Sequence, residues 1–218
     1  MTQEARLSGS RLVAASAWLL ATQFFVAQAV VVLGWSTPYS LVDRYISDLG
    51  NTVCDPHPPG GTTVVCSPWH AWMNGSFALL GLTMAIGAVG AVGAFAHRRL
   101  AATAAALFVV AGVGVVLVGY YPENEDASRH ALGAGVNFVT GGLAVVVFGL
   151  AWRGARARWV RPVSVMAGTL ALAGTALFAG DVYLGLGAGG MERVARSEEH
   201  TSELQSLAYL VCRLLLEK

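Results

Sequence analysis

Apolar residues fall into five long runs, Leu12–Trp35, Trp69–Phe95, Leu100–Tyr121, Ala131–Trp152 and Val163–Leu184, separated by short polar segments. Each is long enough to supply the roughly 20 mainly apolar residues that a helix needs to cross a bilayer. None contains Lys or Arg, and only the last contains an acid, Asp181. The pattern predicts an all-α, polytopic integral membrane helix bundle, with five transmembrane helices in a single membrane domain over residues 1–195. The first run has a competing reading as a signal peptide, because Arg6 and Arg11 precede it and Ala27-Gln28-Ala29 resembles a cleavage site. The apolar stretch continues past that point through Val30-Val31-Val32-Leu33, which favours an uncleaved helix.

Composition narrows the picture further. The 218 residues are 55% hydrophobic and 12% charged, against about 25% charged for an average soluble domain. Such a thin polar coat excludes a disordered chain, a soluble enzyme and a nucleic-acid binder working through a basic surface. The bilayer is the expected partner, and a net charge of +1 gives no electrostatic pointer to another.

The distribution of charge adds an orientation. Arg6, Arg11, Arg98, Arg99, Arg153, Arg156, Arg158 and Arg161 fall on one side of the five-span topology, and Arg44, Arg129 and Arg193 on the other. By the positive-inside rule the N-terminus is cytoplasmic and loops 36–68 and 122–130 face outward, in a bacterial-type cell membrane. Composition also breaks at Ala195. Residues 196–218 hold seven charges, the chain's one Lys (Lys218) and none of its 26 Gly. The string Arg196 to Ser206 resembles a translated sequencing-library adapter, so 196–218 reads as a non-native tail that replaces a sixth helix. The competing reading is a real amphipathic tail.

Cys54 and Cys66 lie twelve apart in the first outward loop, flanking Pro56, Pro58, Pro59, Gly60 and Gly61. An oxidising compartment and a flexible turn favour a disulfide. Two free thiols, or a metal held by Cys54, His57 and Cys66 without a fourth ligand, are the alternatives. Gly87, Gly90 and Gly93 make a small-residue ridge in the second run, which reads as a helix-packing face rather than a nucleotide loop.

Candidate chemistry gathers at the outward end. The first loop carries Asp43, Arg44, Asp48 and Asn51. The second helix opens with His70 and, one turn deeper on the same face, Asn74. The second loop carries Glu123, Glu125 and Asp126, followed by Arg129, His130 and, two turns on, Asn137. Asp181 stands near the outer end of the fifth run. Ionisable residues at membrane depth are costly and mark functional sites, but His70 and His130 sit at helix starts, where capping and interface anchoring are equally good readings. Glu123, Glu125 and Asp126 read as a solvated turn, and Asp43 and Asp48 as partners of Arg44 or Arg129.

Several of these stretches resemble a known family. Ile46-Ser47-Asp48-Leu49-Gly50-Asn51-Thr52, Cys66-Ser67-Pro68-Trp69-His70 and Met73-Asn74 with Ser76-Phe77 are similar to the bacterial and archaeal membrane family catalogued as domain of unknown function 998. So are Tyr121-Pro122, His130-Ala131-Leu132-Gly133 and Gly190-Met191-Glu192-Arg193. The resemblance covers roughly residues 12–195. It implies six helices, the last following the Glu192-Arg193 segment, and no established activity. Membrane hydrolases related to alkaline ceramidases and adiponectin receptors set three His and an Asp around zinc. This chain departs from that pattern, with only His70 and His130 at suitable depth.

Three functions compete. The first is non-catalytic binding of a lipid headgroup or small ligand by Asp43, Asp48, Asn51, His70, Asn74, His130 and Asn137. The second is a metal-dependent lipid hydrolase, with His70, His130 and Asp181 holding zinc and Asp48 or Glu123 as base. The third, a proton-coupled transporter, ranks last, because the helix centres are almost purely apolar and no internal repeat is evident.

Overall fold

A computed structural model describes residues 3–35, 38–56, 64–95, 97–153 and 158–196. His57, Arg156 and the proposed tail from residue 197 lie outside the described residues. The elements are α1 (Gln3–Ala21), α2 (Gln23–Leu33), α3 (His70–Ala91), α4 (Arg98–Tyr120), α5 (Ala127–Ala151), α6 (Val160–Ala179) and α7 (Gly187–Ala195). A two-stranded antiparallel ribbon, β1 (Asp55–Pro56) and β2 (Val64–Val65), decorates the first long loop.

Among the described residues, five segments are long and apolar enough to cross a membrane: Gly9–Leu33, His70–Ala94, Arg98–Tyr120, Ala127–Ala151 and Val160–Ala179. The first combines α1 and α2, which meet at Thr22, whose hydroxyl donates to the Leu19 carbonyl at 2.6 Å. A side-chain hydrogen bond to a nearby backbone carbonyl competes with the helical ladder and favours such a break. The first four spans match the apolar runs to within a few residues. The fifth stops at Ala179, short of the expected Leu184. Beyond it the chain turns through positive φ at Asp181 (55°), Leu184 (50°), Gly185 (81°) and Gly187 (70°), and α7 begins. Asp tolerates this left-handed region better than most side chains, so Asp181 sits in a turn rather than inside a helix.

Helices adjacent in sequence pack side by side: α1 and α2 on α3, α3 on α4, α4 on α5, α5 on α6 and α6 on α7. The contacts run through small residues. A Cβ added at Gly81 would strike the Gly112 carbonyl oxygen, and one at Gly112 would strike that of Gly81. Gly114 and Gly133 stand in the same relation between α4 and α5; between α5 and α6, a Cβ at Gly168 would strike the Gly142 carbonyl and one at Gly142 the Leu172 side chain. Backbones this close gain dispersion that lipid cannot match. Gly87 faces the Trp18 indole and Gly90 faces Ser10 and Ala14 of α1, so this part of the ridge is a packing face. Aromatic pairs fill the wider gaps: Trp18–Phe108 at 5.5 Å, Phe24–Phe77 at 5.2 Å and Phe95–Phe148 at 5.1 Å between ring centroids. Leu12, Val26, Leu82, Ile86, Val113, Leu143 and Leu170 remain exposed, as suits helices solvated by hydrocarbon.

Candidate functional site

The chain from Pro38 to Pro56, the α4–α5 turn and α7 together cap one end of the bundle. At the centre is a single 3-10 turn, Ser47–Gly50, whose Asp48, Leu49 and Gly50 are all buried. Polar side chains from three helices or their flanks, α3, α5 and α7, close on it and on the loop beside it.

Two come from α7. Glu192 is 3% exposed, and its carboxyl group accepts from the Ile46 backbone N–H and lies 3.3 Å from the Ser47 hydroxyl. Burial pushes this carboxyl up to about 7, against the opposing pull of Arg196 and the Ile46 N–H. Arg193 donates to the carbonyls of Leu41 (3.0 Å), Arg44 (3.0 Å) and Gly189 (2.8 Å) and to the Tyr39 hydroxyl (3.0 Å). Tyr39 in turn donates to the Tyr45 carbonyl at 2.6 Å, and burial pushes its phenol up to about 12. One guanidinium with its planar fork of donors thus fastens the loop to the helix.

From α5 comes His130, 6% exposed. Its Nδ1 meets the Tyr121 carbonyl at 2.9 Å and its Nε2 meets the Ser47 hydroxyl at 3.0 Å. Asp126 caps the same helix, accepting from the Arg129 N–H at 3.0 Å and from its guanidinium at 2.9 Å. From α3, Asn74 donates to the Gly50 carbonyl at 2.8 Å. Ser67, just before α3, donates to the Leu49 carbonyl at 2.7 Å, and the His70 Nδ1 meets the Ser67 carbonyl at 2.9 Å. Within the loop, Asp48 accepts from the Tyr45 N–H at 3.1 Å and lies 4.0 Å from Arg44. Thr52 pairs with Asn124 and Glu125 of the α4–α5 turn. The Cys54–Cys66 disulfide ties the two ends of the ribbon segment.

The expected residues therefore divide. Asp48, Asn74 and His130 converge on the turn, and Asn51 and Asn137, both buried, lie in or below the cap. Asp43 is exposed and bonded to Ser40. His70 is a partly exposed anchor of the α3 start. Glu123 lies close enough to Glu192 for its charge to act on it. Asp181 is exposed and accepts from the Tyr183 hydroxyl at 2.8 Å. His70, His130 and Asp181 belong to separate hydrogen-bond groups, and among the described residues no three His, Cys, Asp or Glu side chains gather as metal ligands.

Sequence reasoning missed Ser47, Glu192, Arg193 and Tyr39 as site residues. The pair Glu192-Arg193 did carry a signal, two charges on a short segment in a charge-poor chain. Arg196, expected to open the tail, is 2% exposed and lies over the rings of Phe24, Phe77 and Phe138 at 5.4, 5.2 and 5.6 Å.

The second feature of this end is a cleft of about 560 Å³ between α2 and α3, lined by Gln23, Val26, Ala27, Trp72, Gly75 and Leu79 among others. Gln23 and Ser76 pair reciprocally on its wall, Nε2 to the Ser76 carbonyl at 3.1 Å and the Ser76 hydroxyl to Oε1 at 2.9 Å. Val26 and Trp72 are more than half exposed, so the cleft opens sideways onto the bundle's outer surface.

The five apolar spans of the described residues, closed at one end by a buried polar cap, define a multi-pass membrane protein. The family model for a protein of unknown function, DUF998, matches residues 12–197, and the chain belongs to that family. Comparison with curated proteins and with solved structures brings no match.

Proposed function

We propose that this protein binds a membrane lipid at its capped end, with an acyl chain in the α2–α3 cleft and the polar headgroup beside the cap. The cleft carries this reading. Its volume of about 560 Å³ is in the ordinary range for a small-molecule site. Its walls are mainly apolar, and it runs along α3 from its first turn to Leu79. Trp72 and Trp69 stand exposed at its upper end, where amphipathic rings settle at headgroup level. The capped end faces outward in this reading, supported by the Cys54–Cys66 disulfide and by the excess of arginines at the opposite end.

Gly75 provides the test. A Cβ there meets no heavy atom within 4 Å and Gly75 lines the cleft, so Gly75→Leu places added apolar volume in the cleft with no backbone clash at the Cβ. Native mass spectrometry of the detergent-purified protein is expected to show a retained phospholipid that Gly75→Leu loses, at unchanged thermal stability. Equal retention in both proteins would overturn the reading.

A further inference from the structure

We propose that Ser47 is an acyl-accepting nucleophile and His130 its general base, acting on the carboxylic ester of a membrane lipid or similar amphiphile. The assignment starts from the hydrogens. The Tyr121 carbonyl can only accept, so the His130 Nδ1 that meets it at 2.9 Å carries a proton. In the neutral ring Nε2 is then a lone pair, and it lies 3.0 Å from the Ser47 hydroxyl oxygen. A base within hydrogen-bond reach of a hydroxyl, itself oriented by a third group, is the general signature of an activated nucleophile. The third group here is a backbone carbonyl, which fixes the tautomer as a carboxylate would.

Glu192 decides which way the proton lies. Ser47 has one hydrogen, yet its oxygen meets both His130 and, at 3.3 Å, Glu192. If Ser47 donates to His130, the Glu192 contact requires a protonated carboxyl. If it donates to Glu192, His130 must be an imidazolium. The two arrangements differ by one proton relayed through Ser47. Burial of Glu192, which disfavours its charged form, supports the first. That is the arrangement in which the serine proton points at a free imidazole. The bond between Glu192 and the Ile46 N–H holds the backbone beside Ser47, which makes Glu192 a positioning residue. Ser47 itself is only half-buried, at the edge of the cap.

The reaction balances with water as its only co-reactant. The Ser47 oxygen adds to the ester carbonyl while its proton passes to His130 Nε2. The bond from carbonyl carbon to alkoxy oxygen breaks, and the departing oxygen takes that proton as an alcohol. Water, deprotonated by the same nitrogen, then adds to the acyl-serine, and Ser47 leaves with its proton restored and the carboxylic acid released. The choice of a long-chain ester rests on the lipid-binding reading; the choice of Ser47 does not.

The test uses the purified full chain in detergent with an alkyl fluorophosphonate, which phosphonylates an activated serine and releases fluoride. A single adduct is expected, mapped by peptide mass to the segment carrying Ser47. It should be absent in Ser47→Ala and formed at least about 100-fold more slowly in His130→Gln. No adduct on the unaltered protein, an adduct on another residue, or full-rate labelling of His130→Gln would each overturn the proposal. The peptide map needs no variant to fold. Turnover of p-nitrophenyl acetate and laurate separates the two readings. Laurate is expected to be preferred, with the preference lost in Gly75→Leu. Equal turnover of both by the unaltered protein would defeat the long-chain ester and leave Ser47 standing, whereas turnover of neither would defeat Ser47.

Discussion

The membrane interior and the cap solve the same problem, holding helices in register, by opposite means. In the interior, α3, α4, α5 and α6 meet glycine to glycine, with no side chain between the backbones at Gly81 and Gly112 or at Gly114 and Gly133. In the cap, buried Ile46, Leu49 and Met191 supply apolar contact, and polar side chains do the fastening. Glu192, Arg193, Asn74, Ser67 and His130 each reach a backbone group or hydroxyl of the loop. Hydrocarbon offers no hydrogen-bond competitor and no hydrophobic drive between helices, so shape decides there. Near water, an extended loop has backbone groups to satisfy, and buried polar side chains satisfy them. A seam of shape tolerates no added atom, whereas a polar cap responds to charge and protonation.

The largest effect should come from adding atoms to a seam. Gly112→Leu would drive a branched side chain into the Gly81 backbone, a clash worth about 3 kcal/mol or more. Loss of folded, monodisperse protein on gel filtration is expected, with the cap chemistry untouched by the mutation itself. A folded Gly112→Leu protein would show that the α3–α4 seam is looser than its geometry.

The cap should instead answer to pH. The Glu192 carboxyl is raised from 4.5 to about 7, by burial first. Arg196, Arg193 and the Ile46 N–H oppose that shift, Glu123 adds to it, and His130 is reached through Ser47. A raised carboxyl favours the protonated form in the folded state, so its contribution is full below about 4.5 and is lost as pH rises through about 7. Across that window the effect is on the order of 3 kcal/mol at most, at 1.36 kcal/mol per unit. Resistance to SDS unfolding should therefore fall between pH 5 and pH 8, and the fall should be flattened in Glu192→Gln. An identical fall in that variant would assign the dependence to another group.

Removing the acceptor altogether costs less than the full window. Glu192→Ala leaves the buried Ile46 N–H without its partner, a loss of about 2 kcal/mol. Hydrogen exchange at Ile46 and its neighbours should rise while amides in α4 and α5 stay protected. Uniform loss of protection across the bundle would mean that cap and interior are one cooperative unit.

How much of this the sequence disclosed follows the same divide. The spans were legible because a bilayer demands long uncharged runs, and Leu100–Tyr121 reads as α4 almost residue for residue. The glycine ridge was legible as packing, because small residues at helical spacing have few other uses in such runs. The site was legible only in part. His130, Asp48 and Asn74 stood out as polar residues at helix ends or in a marked loop. Asp181 misled because Gly180 and Asp181 look like the end of an apolar run, and nothing in the run announces the positive φ that ends α6 early. Glu192 resembles a surface acid, since its burial depends on α7 folding back beneath Tyr39 and Ile46. Ser47 had no spacing signature, for its partner His130 lies 83 residues away.

The smallest expected effect sharpens the comparison most. Gly135 lies in α5 beside the seam residue Gly133, yet a Cβ there meets nothing within 4 Å, whereas one at Gly133 would strike the Gly114 carbonyl. Alanine is the better helix former by about 1 kcal/mol in water, and its gain at an exposed position should not exceed that. Gly135→Ala is thus expected to leave thermal stability unchanged or slightly raised. Gly133→Ala, two residues away with the same added methyl, should lower it. If the two substitutions cost the same, glycine in these helices reflects composition rather than contact, and the contrast between a seam of shape and a cap of charge would lose its interior half.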